Sequence, residues 1–204
     1  MNEVIAQMHL SNSSTDSIYI SKSFDVYRKE GEISDEAERL LFGSKSQGFV
    51  WYPDFIAFDM LGEERNYWVK LAINETLSVN QTLIENEQSV IVLPFQANKG
   101  DRLYLFGEED DLVLSFTLPV GHYKLLFQNR LFTREEIEAS SNNNCQDLDY
   151  DYDECDYIPE LCQLTFIPTQ EVVEPEILVY KGSLKSKEPP SPLVLFDQKL
   201  NNSN

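Results

Sequence analysis

Apolar and polar residues alternate with a period of two along most of this chain, in runs short enough to be strands. Successive side chains of a strand point to opposite faces, so that period predicts pleated structure. Four such runs follow one another between Ser89 and Asn129: SVIVLPFQA (Ser89 to Ala97), RLYLFG (Arg102 to Gly107), LVLSFTL (Leu112 to Leu118) and GHYKLLFQN (Gly121 to Asn129). They are separated by Asn98-Lys99-Gly100-Asp101, Gly107-Glu108-Glu109-Asp110 and Pro119-Val120-Gly121. Each separator holds the Gly, Pro, Asn or Asp that a reversing backbone needs. The expectation is an antiparallel meander. In the third run Leu112, Leu114, Phe116 and Leu118 share one face. In the second, Leu103 and Leu105 oppose Tyr104 and Phe106, which predicts a strand covered from both sides.

The same period places further strands on either side. Ile18 to Arg28 has Ile18, Ile20, Phe24 and Val26 on one face, with Lys22 interrupting it, which predicts an edge strand. Gly48 to Asp59 is aromatic-rich and broken by Pro53, which has no amide hydrogen for a ladder and marks a bend or an edge. Tyr67 to Glu75, Leu161 to Ile167 and Glu176 to Tyr180 complete the set. Ser34 to Phe42 has the caps and spacing of a helix, with Ser34 or Asp35 at its start, acidic residues in its first turn and Gly43 after its end, and Arg134 to Ser141 reads as one or two helical turns. These elements predict an all-β antiparallel β-sandwich with one short helix. Residues 1–17 are read as a flexible polar N-terminus, 18–180 as the domain and 181–204 as a solvated tail, with PLVLF (Pro192 to Phe196) as its one apolar stretch.

Charge changes the picture more than composition does. The chain has 16 Lys and Arg against 35 Asp and Glu, a net charge of −19. Such a surface repels phosphate, which argues against direct nucleic-acid binding and against an anionic membrane, and it suits a basic protein partner. From Glu135 through Tyr180 there are thirteen acidic residues and no Lys or Arg, and within this stretch residues 133–160 read as an acidic insertion. The N-terminal residues lack a basic start and a continuous apolar segment, so a cytoplasmic location is expected, with Cys145, Cys155 and Cys162 as free thiols.

Candidate chemistry is sparse. The two histidines are His9 and His122, the second beside a turn, which leaves nucleophile–base arrangements poorly supplied. Neither glycine-rich phosphate motif occurs. The cysteine spacing is not that of a zinc site. Asp147, Asp149 and Asp151 match the first ligand positions of an EF-hand loop, but Tyr152 stands where that loop needs Gly and Ile158 where it needs Glu. In extended backbone Asp147, Asp149, Asp151 and Asp153 fall on one side about 6.5–7 Å apart. That is close to the separation of successive phosphates on a nucleic-acid strand, so the row is suited to a basic nuclease groove. The other reading of the row is a solvated acidic loop.

The block from Phe24 to Gln128 resembles the ComJ-like competence proteins, small inhibitors of a bacterial DNA-entry nuclease. The resemblance is carried by Ser34-Asp35-Glu36-Ala37, the aromatic strand Gly48 to Phe58, Asn74-Glu75-Thr76, Val92-Leu93-Pro94-Phe95, and Leu114-Ser115-Phe116-Thr117-Leu118-Pro119-Val120-Gly121-His122-Tyr123-Lys124-Leu125. It implies a non-enzymatic protein that binds and restrains a nuclease, with no catalytic residues and no cofactor. The insertion and the extended termini depart from the family pattern. The expected partner-binding residues are Asp147, Asp149, Asp151, Asp153, Glu154 and Asp156 in the insertion, with Glu108, Glu109, Asp110 and Asp111 in the turn. The competing reading is a calcium- or carbohydrate-binding β-sandwich module, and a third is an enzyme using buried carboxylates.

Overall fold

The computed structural model describes residues 2–13, 17–23, 28–29, 32–33, 47–60, 65–74, 88–107, 113–133, 135–136 and 160–180. In chain order the strands are β1 (Asn2–Ser13), β2 (Ser17–Ser21), β3 (Arg28–Lys29), β4 (Glu32–Ile33), β5 (Phe49–Tyr52), β6 (Phe55–Asp59), β7 (Arg65–Asn74), β8 (Ser89–Ala97), β9 (Leu103–Gly107), β10 (Leu114–Phe116), β11 (Gly121–Leu131), β12 (Glu160–Thr169) and β13 (Glu176–Tyr180). The helix expected over Ser34 to Phe42 and the stretch Pro192 to Phe196 lie outside the described residues.

Two sheets pack into a β-sandwich. The larger has the order β1-β7-β12-β11-β8-β13, the smaller β10-β9-β2-β6-β5, and β3 pairs with β4 apart from both. All pairings are antiparallel except β12 with β7, so the larger sheet is mixed. The pleat explains what lies between them. Ile18, Ile20, Phe49, Ile56, Phe58, Leu103, Leu105 and Phe116 of the smaller sheet meet Val69, Leu71, Ile91, Leu93, Leu125, Phe127, Leu164 and Phe166 of the larger in one core. Phe58 and Phe127 stack across the interface with centroids 4.2 Å apart. The alternate residues of the smaller sheet, Tyr19, Val50, Tyr52, Phe55, Ala57 and Phe106, form a second apolar cluster on its other face. β9 contributes to both clusters, as its two apolar faces predict.

Several expectations are corrected. The run from Ser89 to Asn129 is not a single meander. β8 and β11 are neighbours in the larger sheet and β9 and β10 in the smaller. The chain passes from one sheet to the other in the turn after β8, where Gly100 takes a φ of 89° and the Asp101 carboxylate accepts from the Asn98 N–H at 2.9 Å. β2 is a central strand between β9 and β6, not an edge. It stops at Ser21, so Lys22 lies beyond the strand and pairs with Asp101 at 3.3 Å instead of interrupting a buried face.

The N-terminal residues expected to be loose include β1, paired with β7 over nearly its whole length. Val4, Ala6, Met8 and Leu10 alternate with more polar positions there, and a register shift between Val4 and Ala6 accommodates the irregular start. Pro53 sits in the turn between β5 and β6, as its missing N–H requires. Pro94 lies in β8 past Val92, the last β8 residue paired with β13, and its carbonyl accepts from the Trp51 indole N–H at 2.8 Å.

Candidate functional site

Strand directions bring the described residues that flank the two sequence-predicted acidic segments to one end of the sandwich. In the larger sheet, β11 reaches that end at Leu131, paired with Glu160 at the start of β12. In the smaller, β9 reaches it at Gly107, which pairs with Ile18. The chain leaves the described residues after Gly107 and re-enters at Val113; it leaves again after Glu136 and re-enters at Glu160. Cys162 Sγ lies 3.6 Å from Met60 Sδ, just past β6, which joins the same ends of the two sheets. The ten predicted partner-binding residues, Asp147, Asp149, Asp151, Asp153, Glu154, Asp156, Glu108, Glu109, Asp110 and Asp111, all lie outside the described residues. Their anchoring strands do not, and those converge.

Where the chain leaves β11 it is tied by two polar arrangements that stem from consecutive residues of the strand. Asn129 and Arg130 point to opposite faces because a strand alternates. Asn129 faces inward and is 1% exposed; its side-chain amide donates to Glu160 Oε1 at 2.9 Å, diagonally across the β11–β12 ladder. Glu160 is wholly buried, and Cys162 Sγ lies 3.5 Å from the same oxygen. Asn129 Oδ1 has no hydrogen-bond partner among the described residues. A half-satisfied buried amide costs stability and confines the group to one arrangement.

Arg130 faces the other way. Its Nη1 donates to Glu136 Oε2 at 2.7 Å and its Nη2 to Glu136 Oε1 at 2.6 Å, a two-pronged pair. Nη1 also donates to the Leu131 carbonyl at 3.1 Å. Thr133 and Glu136 form a capping box: the Thr133 N–H donates to Glu136 Oε2 at 2.8 Å, and the Glu136 N–H donates to Thr133 Oγ1 at 3.3 Å. The Arg130 guanidinium and the Thr133 donors outweigh partial burial and hold the Glu136 carboxyl at about 2, below its ordinary 4.5. Trp68 of β7 stacks on Phe132 at 6.5 Å beside this turn.

Sequence reasoning did not single out Asn129, Arg130, Glu136 or Glu160. Thr133-Arg134-Glu135-Glu136 has the capping-box spacing and was the available signal. The pairing of Arg130 with Glu136, six apart, has no sequence signature. Among the described residues there is no cluster of three or more His, Cys, Asp or Glu side chains able to hold a metal ion. The EF-hand-like run beginning at Asp147 lies outside them. Among the described residues, too, no helix is long and apolar enough to cross a membrane.

The family model of competence protein J (ComJ) matches residues 43–153, more than half of the 204. The chain belongs to the ComJ family. The match takes in the second apolar cluster of the smaller sheet except Tyr19, β7 to β11, the clasp at Arg130 and Glu136, Glu108 to Asp111, and Asp147 to Asp153 but not Glu154 or Asp156. Two solved structures are similar to this ComJ-family chain. One is ComJ from Bacillus subtilis, an inhibitor of the DNA degrading activity of NucA, with 16% identity over 82% of this chain and 99% of that one and a TM-score of 0.45. The other is crocagin biosynthetic gene J, with 15% identity over 83% of this chain and 99% of that one and a TM-score of 0.46. No curated protein matches the chain.

Proposed function

We propose that this ComJ-family chain is a non-enzymatic inhibitor that binds a DNA-degrading nuclease through the acidic end of the sandwich. Membership of the family carries the reading, since a ComJ protein is an inhibitor of the nuclease NucA. The charge supports it: a chain of net charge −19 attracts a basic nuclease surface and speeds encounter, an effect that salt screens. The anchors of both acidic segments lie at one end, so Asp147 to Asp156 and Glu108 to Asp111 act together on one partner. The chain supplies no catalytic group; it occupies the nuclease.

The test is DNA digestion by NucA with the purified chain titrated in at low and high salt. Inhibition is expected, weakening as salt rises. Replacing Asp147, Asp149, Asp151, Asp153 and Asp156 by Asn and Glu154 by Gln should weaken it by about tenfold or more while the thermal unfolding midpoint holds. Neutralising Glu108 to Asp111 should act in the same direction. Digestion that proceeds unchanged in the presence of the chain would sink the inhibitor reading. Full inhibition by both neutralised variants would move the interface elsewhere.

A further inference from the structure

Three donor atoms from the two sides of the sandwich converge beneath the end where the chain leaves β11. Glu160 and Cys162 are alternate residues of β12, so the pleat turns both side chains to the same inward face, and both are wholly buried. Met60, just past β6 of the smaller sheet, reaches in from the other side and packs against the core. Cys162 Sγ lies 3.6 Å from Met60 Sδ and 3.5 Å from Glu160 Oε1. A thiol has a single hydrogen, which cannot serve both neighbours at once. Beside them Asn129, 1% exposed, donates its amide to the same Glu160 oxygen, while its Oδ1 has no hydrogen-bond partner among the described residues. A buried carbonyl without a donor costs stability, and that cost points to a ligand at this spot.

We propose that Cys162, Met60 and Glu160 form a binding site for a soft monovalent metal ion, Cu(I), with Asn129 Oδ1 beside it as a further oxygen. The spacing fits. With sulfur about 2.3 Å and oxygen about 2.1 Å from a tetrahedral ion, two sulfurs fall roughly 3.8 Å apart and a sulfur and an oxygen roughly 3.6 Å. The separations of 3.6 and 3.5 Å need almost no movement to reach that arrangement.

The donor types choose the metal. Thiolate and thioether are soft ligands that select Cu(I) over the harder divalent ions. A set drawn from His, Cys, Asp and Glu alone does not reveal the site, since its third member is a methionine. On binding, the Cys162 S–H bond breaks, its electron pair stays on sulfur and forms the bond to Cu(I), and the proton passes to water; copper keeps its oxidation state. Met60 is only partly buried, which gives the ion a way in. Because Met60 follows β6 and Cys162 lies in β12, a bound ion ties the smaller sheet to the larger and stabilises the sandwich.

The test needs no nuclease, so its outcome is separate from that of the inhibitor reading. The full chain carrying Cys145→Ser and Cys155→Ser, which leaves Cys162 as its one thiol, is titrated anaerobically with Cu(I) against a chromophoric Cu(I) chelator, and its thermal unfolding is followed with and without the ion. Expected are uptake of one equivalent with thiolate-to-copper absorption in the near ultraviolet, a shell of sulfur and oxygen in X-ray absorption, and a higher unfolding midpoint. Cys162→Ser in that background should abolish uptake. Met60→Leu, which nearly keeps the volume and removes the thioether, should weaken binding by about tenfold or more. A background chain that takes up no Cu(I) overturns the site. So does a folded Met60→Leu protein that binds as tightly as its parent, which would mean an adventitious thiol-bound ion only.

Discussion

The two ends of this sandwich close the same strands by different chemistry. At one end the β8–β9 connection is short. Asn98 to Asp101 turns on a single glycine with positive φ, and its Asp101 carboxylate holds the Asn98 N–H and the Lys22 ammonium. Nearby, the Tyr123 hydroxyl donates to the Pro119 carbonyl at 2.6 Å, and Lys22 sits 5.5 Å from the Phe95 ring centroid. At the other end the β11–β12 connection is long, and the ties are a buried carboxylate on a buried amide and a forked ion pair. A short turn is set by its own residues. A long connection closes at a greater entropic cost, and Asn129 and Arg130 tie its described roots to Glu160 and Glu136.

Deleting one tie at each end sharpens that contrast, and the buried one should cost more. Asn129→Leu removes the 2.9 Å bond to the buried Glu160 carboxylate. Loss of a bond to a wholly buried polar group, which leaves that group short of a partner, should destabilise by about 2 kcal/mol. Chemical denaturation of the variant against the parent measures it. A loss near zero would mean that the root of the insertion is no better fixed than an ordinary turn. At the opposite end Asp101→Ala should cost about 1 kcal/mol, because its bonds to Asn98 and Lys22 are half-buried and water replaces them in part. Equal costs at the two ends would erase the distinction.

The same contrast decides what could be read in advance. Short-range chemistry was legible: Pro53 and Gly100 at turns, and β9 with apolar residues on both faces, since Leu103 and Leu105 enter one cluster and Tyr104 and Phe106 pack with the other. Partner choice between strands was not. Four alternating runs in sequence fit a meander equally well, and nothing in the residues themselves says that the Asn98 to Asp101 turn changes sheets. β1 was hidden differently, since the alternation of Val4, Ala6, Met8 and Leu10 is diluted by Asn and Ser at either end. Of the site, the acidic character was plain, and the capping box from Thr133 to Glu136 could have been found. Asn129 and Glu160 are 31 apart and meet only because β12 returns beside β11.

The finest probe of the contrast is pH, because Glu136 and Asp101 are both held below their ordinary values but by different partners. Burial raises Asp101, and the Asn98 N–H and the Lys22 ammonium outweigh it. Arg130 leads in holding Glu136 at about 2 against an ordinary 4.5. A carboxyl whose value is depressed on folding adds stability that is fully present above its unfolded value and is lost as pH falls through the folded one. The parent should therefore exceed Glu136→Gln in stability by a constant margin above about pH 4.5, and the margin should shrink steadily between there and about pH 2. Other carboxylates titrate in the same range in both proteins, so the difference between them, not either curve alone, isolates this group. Denaturation series at pH 7, 4.5 and 3, followed by the fluorescence of Trp68 against Phe132, would read it. A margin that stays constant down to pH 3 would show that Arg130 and Thr133 do not hold the Glu136 charge.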